Sequence, residues 1–212
     1  SAQSALRRLV NRDVLLTLDR RIGGARSGSS GFVYKLGYAG QRLFRRWQGM
    51  PASRSRRSVD PGEPFVSHRI ACSQLYVDLQ SAAALGDLRI DLFESEPDCW
   101  RRRIGPFGKS LTLKPDAHVQ LTTSGRRLHW FVEIDRGTES QTVIARKGRA
   151  YLDHYRSGAE ADAMPRVLWL TALKQRAERR ALTLHALPQP SNDLHLVATT
   201  NQTIQTLKGD SI

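Results

Sequence analysis

Glu133 and Asp135 end the apolar run Trp130-Phe131-Val132-Glu133-Ile134-Asp135, and Asp116 follows Pro115 in the apolar stretch before it. Strand residues two apart emerge on one face, so Glu133 and Asp135 can reach one ligand together. If the two stretches pair antiparallel across Thr122 to Arg127, the turn centre lies about midway and Asp116 falls opposite the Glu133 region. Three carboxylates at a buried strand end cost desolvation energy unless a cation lies between them. Oxygen ligands of this kind suit magnesium or manganese, whose coordination is completed by water and phosphate oxygens. The spacing therefore predicts a divalent-metal site at Asp116, Glu133 and Asp135, facing a phosphate-bearing substrate.

The stretch Gln141 to Arg156 reads as a helix whose sheet-facing stripe holds Val143, Ala150, Tyr151 and His154, with Lys147 inside the stripe. A lysine there wants an acidic partner; it can stay ionised beside the carboxylates, place a water, or offset charge on a phosphoryl transition state. The alternative is an amine snorkelling to solvent from the stripe's edge. Tyr151 and Tyr155 read as packing residues rather than attacking nucleophiles. The six histidines show no zinc spacing, and Ser27-Gly28-Ser29-Ser30-Gly31 lacks the lysine of a phosphate loop.

These side chains need a scaffold. Val66 to Leu85 carries Ala71, Leu75, Leu79 and Ala82 on one helical stripe. Strand patterns follow at Leu88 to Phe93, Ser110 to Leu121 broken at Pro115, and Leu128 to Ile134; then come the 141–156 helix, a strand at Arg166 to Leu170, a helix at Gln175 to Ala186 and a strand at Leu194 to Ala198. That order predicts an α/β design, a mixed sheet flanked by helices, over residues 65–212.

Residues 1–58 hold 13 Lys or Arg against Asp13 and Asp19, whereas the remaining 154 residues hold 20 against 18 acids. The overall charge of +13 is thus concentrated in the N-terminal quarter, which points to a polyanion as partner. Ala2 to Asn11 reads as a basic amphipathic helix with Arg7 and Arg8, followed by Arg12. A hairpin of Val14 to Leu18 and Phe32 to Leu36 comes next, with Arg20, Arg21 and Arg26 toward its tip and Lys35 on the return strand, then a short basic helix at Gln41 to Trp47. Helix then arginine-tipped hairpin is the second half of a winged helix-turn-helix, predicted here as a partial one over 1–47 that grips double-stranded DNA, the alternative being a plain surface hairpin. Residues 48–64 form a Pro/Ser/Arg linker whose Arg54, Arg56 and Arg57 either hold DNA backbone or are a solvated tether. No initiating Met or signal-like run opens the chain, no long apolar span occurs, and two lone cysteines read as buried thiols; the expectation is a soluble cytoplasmic protein whose chain starts inside a longer one.

Pro115-Asp116, then Glu133-x-Asp135, then Lys147 on the next helix resembles the PD-(D/E)XK nuclease superfamily. The blocks LKPDA, WFVEID, IARKGRAYLDHYRSG and SEPDCWRRR, behind a winged-helix-like front, resemble the replication-relaxation family with its MobC-like plasmid mobilisation proteins. The resemblance implies a restriction-endonuclease-like sheet and a divalent ion, Mg2+ or Mn2+, held by Asp116 and Glu133. The superfamily's lysine position is Asp135 here, so Lys147 is assigned that role ahead of Arg136 and Arg146, with Asp135 a further ligand or the group that orients Lys147. The superfamily's acid from its first core helix has no glutamate counterpart in Val66 to Leu85, which leaves Glu94 or Glu96. Arg101, Arg102 and Arg103 either clamp phosphates or form a solvated face. The implied function is a metal-dependent DNA endonuclease or nickase in plasmid mobilisation or replication relaxation. Its rivals are a non-catalytic DNA-binding accessory protein that recruits a relaxase, replication, conjugation or transcription machinery, and a nuclease for RNA or single strands.

Overall fold

The computed structural model describes residues 1–18, 32–51, 62–160 and 163–209. The chain divides into two compact units, residues 1–67 and 68–212. Arg20, Arg21 and Arg26, expected toward a wing tip, and Arg54, Arg56 and Arg57, expected in a linker, lie outside the described residues. No described helix is long and apolar enough to cross a membrane.

In the first unit, α1 (Ala2–Asn11) leads into an antiparallel hairpin of β1 (Leu15–Leu18) and β2 (Val33–Leu36), and α2 (Tyr38–Trp47) follows. The turn between hairpin and α2 is possible only with glycine. A Cβ on Gly37 would lie 2.3 Å from the Asp13 carbonyl oxygen, and one on Gly40 would lie 2.1 Å from that of Val14. The two glycines let α2 start at Tyr38, three residues before the expected Gln41, with its first turn against the chain entering β1.

In the second unit a five-stranded sheet has the order β3 (Arg89–Ser95), β6 (Ala117–Thr123), β7 (Arg126–Asp135), β8 (Arg166–Thr171), β9 (His195–Thr199). The first three strands run antiparallel and the last three parallel, so the sheet is mixed as the element order predicts. Ser124 and Gly125, both at positive φ, close the two-residue β6–β7 turn; this turn type matches strand twist and needs left-handed residues. The helices α4 (Gln141–Arg156) and α5 (Lys174–His185), with the short α6 (Ser191–Leu194), connect the parallel strands; α7 (Thr203–Leu207) ends the described chain.

Helix α3 (Glu63–Ala84) lays Leu75, Leu79 and Ala82 on one face of the sheet, against Val119, Leu121, Val132 and Leu168. On the other face α4 and α5 place Ile144, Tyr151, Leu152 and Leu184 against Phe131, Val167 and Trp169. Both faces are covered, and so Trp130, Phe131 and Val132 are all buried in one strand without alternation.

Three expectations change. The stripe of α4 is Ile144, Gly148, Tyr151, Leu152 and His154 rather than one through Val143 and Ala150, and Ala150 is exposed, because Gly148 admits α5 closely. The apolar stretch from Ser110 is split at Pro115: β5 (Ser110–Leu113) leaves the main sheet and pairs with β4 (Arg101–Ile104). The arginine triplet therefore belongs to a separate hairpin; Arg101 turns inward and Arg102 is exposed.

Candidate functional site

Pairing of β6 with β7 matches Ala117 to Val132, which sets Asp116, one residue earlier, opposite Glu133. The Asp116 amide donates to the Val132 carbonyl at 3.0 Å, and the Ile134 amide donates to Asp116 Oδ2 at 2.6 Å. One carboxylate oxygen is thus fixed by backbone beside Glu133. The other, Oδ1, faces His68 Nε2 of α3 at 3.3 Å. His68 Nε2 also stands 3.8 Å from Oε2 of Glu96, at the end of β3. Among the described residues, His68, Glu96 and Asp116 are the one group of three donors that converges tightly enough for a metal ion, their ligand atoms all within 4.8 Å of each other.

Glu133 is buried beside this triad. Its Oε1 accepts from the Tyr151 hydroxyl at 2.7 Å and its Oε2 from Lys147 Nζ at 2.9 Å. Lys147 reaches Glu139 as well, at 2.8 Å. The amine therefore points inward to two carboxylates and does not snorkel away. Burial, and next the Asp116 charge, push the Glu133 carboxyl up to about 7 against the opposing pull of Lys147 and Tyr151. The Lys147 amine is raised, burial being outweighed by Glu133 and Glu139. His68 is raised to about 10, chiefly by its hydrogen bond to Asp116 and then that to Cys72. Asp116 and Glu96 thus favour a positive charge at the point where they meet His68.

The expected set of three acids divides on folding. Asp135 is not part of the convergence: its Oδ2 takes Arg180 Nε at 2.6 Å and its Oδ1 the Gly137 amide at 2.7 Å. Arg180 in turn donates to the Glu139 carbonyl at 2.8 Å, so this buried ion pair holds the loop from which Glu139 reaches Lys147. Asp135 and Glu133 share a face as strand parity requires, but they look toward α5 and α4 respectively. Of the two candidate acids at the end of the first strand, Glu96, the residue after β3, joins the triad. Glu94 instead pairs with Arg101 at 3.3 Å in a second network, where Arg101 also meets Glu160 at 3.4 Å, donates to His118 Nδ1 at 2.7 Å and lies over the Phe131 ring. Arg136 and Arg146 are exposed.

Besides Glu139 and Arg180, two participants escaped the sequence reading. His68 lacks an acidic partner at motif spacing, because Glu96 follows β3 and Asp116 precedes β6; its one near neighbour in sequence is Cys72, a helical turn on. Tyr151 was assigned to packing, which it does against Trp169, but its hydroxyl also holds Glu133. A signal existed only for Tyr151, which sits one helical turn after Lys147.

In the first unit Arg7, Arg8 and Arg12 are exposed and Lys35 is half-buried. Arg42 and Arg46 of α2 add exposed cations beside exposed Tyr38, Leu43, Phe44 and Trp47. These last residues were absent from the expected DNA-contacting set.

Comparison with known proteins finds one family model, described as replication-relaxation, that matches residues 1–167. No curated protein and no solved structure matches.

Proposed function

The chain belongs to the replication-relaxation family, which suggests a role in plasmid replication or mobilisation, and from that premise we propose that it is a divalent-metal-dependent DNA endonuclease or nickase. The observation that carries this is the shared carboxylate Asp116: Oδ1 faces the His68–Glu96 triad, while Oδ2 is pinned opposite Glu133 and its lysine. A helix, antiparallel strands, a crossover helix and a parallel strand around it support a restriction-endonuclease-like reading of the second unit. The donor set fits a divalent ion, Mg2+ or Mn2+, which when bound supplies Lewis-acid polarisation of a phosphodiester oxygen. Asp116, Glu96 and His68 would hold it. Lys147, kept cationic by Glu133 and Glu139, faces charge that develops on the phosphate. Tyr151 and Lys147 together orient Glu133, and Asp135 with Arg180 positions the loop that carries Glu139.

The first unit would grip duplex DNA. Its helix, hairpin and exposed cations fit a partial winged helix-turn-helix, with Arg7, Arg8 and Arg12 on phosphates. On this reading the protein acts on plasmid DNA in the cytoplasm, with a relaxase or replication or conjugation proteins as partners.

The test is nicking of supercoiled plasmid by the purified chain over magnesium and manganese titrations. Glu133→Gln and Lys147→Ala are expected to lower the rate by about 100-fold or more while DNA affinity is kept. A second reading, a non-catalytic DNA-binding accessory protein, is favoured by one observation: both oxygens of Glu133 and the Lys147 amine already have partners. Under it, supercoiled plasmid stays intact at every metal concentration.

A further inference from the structure

We propose that His68 is a metal ligand and that its imidazole makes this centre select manganese(II) over magnesium. The inference rests on the divalent-ion reading of the site and adds the identity of the ion. Three elements that are distant along the chain bring the donors together: α3 supplies His68, the end of β3 supplies Glu96, and the residue before β6 supplies Asp116. Their backbones are tied to one another. Cys99 Sγ donates to the Pro115 carbonyl at 3.0 Å, joining the loop after Glu96 to the residue before Asp116, and Arg69 donates to the Glu96 carbonyl at 3.4 Å, joining that loop to α3. With Asp116 Oδ2 held by the Ile134 amide, Oδ1 is left to meet His68 Nε2. The donors are thus preorganised.

One nitrogen and two carboxylate oxygens form the set. Magnesium binds oxygen and parts with its water reluctantly, so an imidazole adds little to its affinity. Manganese shares the fit to carboxylates and, as a first-row transition ion, binds a nitrogen donor that magnesium does not favour. Selectivity accordingly resides in one side chain, on the first helix of the unit, whereas the two acids serve either ion.

The full-length chain, stripped with chelator, is titrated with Mn2+ while the paramagnetic resonance signal of the free ion is followed, and then challenged with Mg2+. Wild type is expected to hold manganese against about a tenfold excess of magnesium. His68→Gln should weaken manganese binding by about tenfold or more and leave magnesium affinity within about threefold. His68→Glu, which restores an all-oxygen set, should move the preference toward magnesium. Circular dichroism checks that each variant is folded, and either folded variant is sufficient. Manganese affinity unchanged in a folded variant overturns the proposal and leaves His68 as a hydrogen-bonding partner of Asp116; wild type without manganese binding overturns it too. Manganese held through His68 with no plasmid cut keeps this inference and removes the nuclease reading.

Discussion

His195 shows how a single residue reports on the packing around the site. It is buried where β9 meets α4, accepting from Trp169 Nε1 at 3.2 Å on Nδ1 and reaching the Gly148 carbonyl at 3.3 Å with Nε2. Burial is the main cause that pulls it down to about 4, from an ordinary 6.5. Above pH 6.5 neither folded nor unfolded chain protonates it. Between 6.5 and 4 the unfolded chain takes up a proton that the folded chain refuses, so stability falls as the pH falls. The loss is on the order of 3 kcal/mol at most. Urea denaturation at pH 7 and pH 4.5 should show it, and His195→Gln should flatten that part of the difference. Asp135 teaches the complementary point. Its spacing from Glu133 correctly predicts a shared face, yet whether a carboxylate meets a metal or an arginine depends on Arg180, 45 positions along the chain.

Elements decide which of these residues can meet. The β6–β7 hairpin was legible because its turn residues and apolar runs are local, and a two-residue turn fixes the register that sets Asp116 against Glu133. The α4 helix was legible in extent, Gln141 to Arg156, but its buried stripe was displaced, since Gly148 gives no hydrophobic signal while being the place where Leu184 and Leu187 approach. The β4–β5 hairpin was missed because a basic triplet hides a short strand that buries little. Glycine is just as decisive in the first unit. Gly40→Ala puts a Cβ onto the backbone oxygen of Val14, which cannot move aside as a side chain can. It should abolish DNA binding in a mobility-shift assay and leave manganese binding by the second unit at the wild-type level.

On the scale of the molecule, charge and chemistry are assigned to different units. The excess of positive charge is concentrated in the first unit, and the donor triad with Glu133 and Lys147 lies wholly in the second. Phosphate contacts release counterions, so affinity for duplex DNA should fall steeply with salt. Replacing Arg7, Arg8 and Arg12 together by Ala should flatten the slope of log K against log salt by about 2 to 3, if all three reach phosphates. Fluorescence anisotropy over a salt series reads this directly; an unchanged slope would remove α1 from the interface.

Local pattern alone determined the α/β class, the order of the main-sheet strands and the helices α3, α4 and α5 around them, the concentration of positive charge near the front, and the pairing of Asp116 with the Glu133 region. Each depends on composition, on periodicity or on a turn, which neighbouring residues encode. Only the tertiary structure decided that His68 and Glu96 join Asp116, that Asp135 belongs to Arg180, and that the Lys147 amine lies between Glu133 and Glu139. Those contacts are made by side chains whose helices and strands are brought together by burial of Leu75, Leu79, Phe131 and Trp169, and hydrophobic burial carries no label naming the polar groups it will leave side by side.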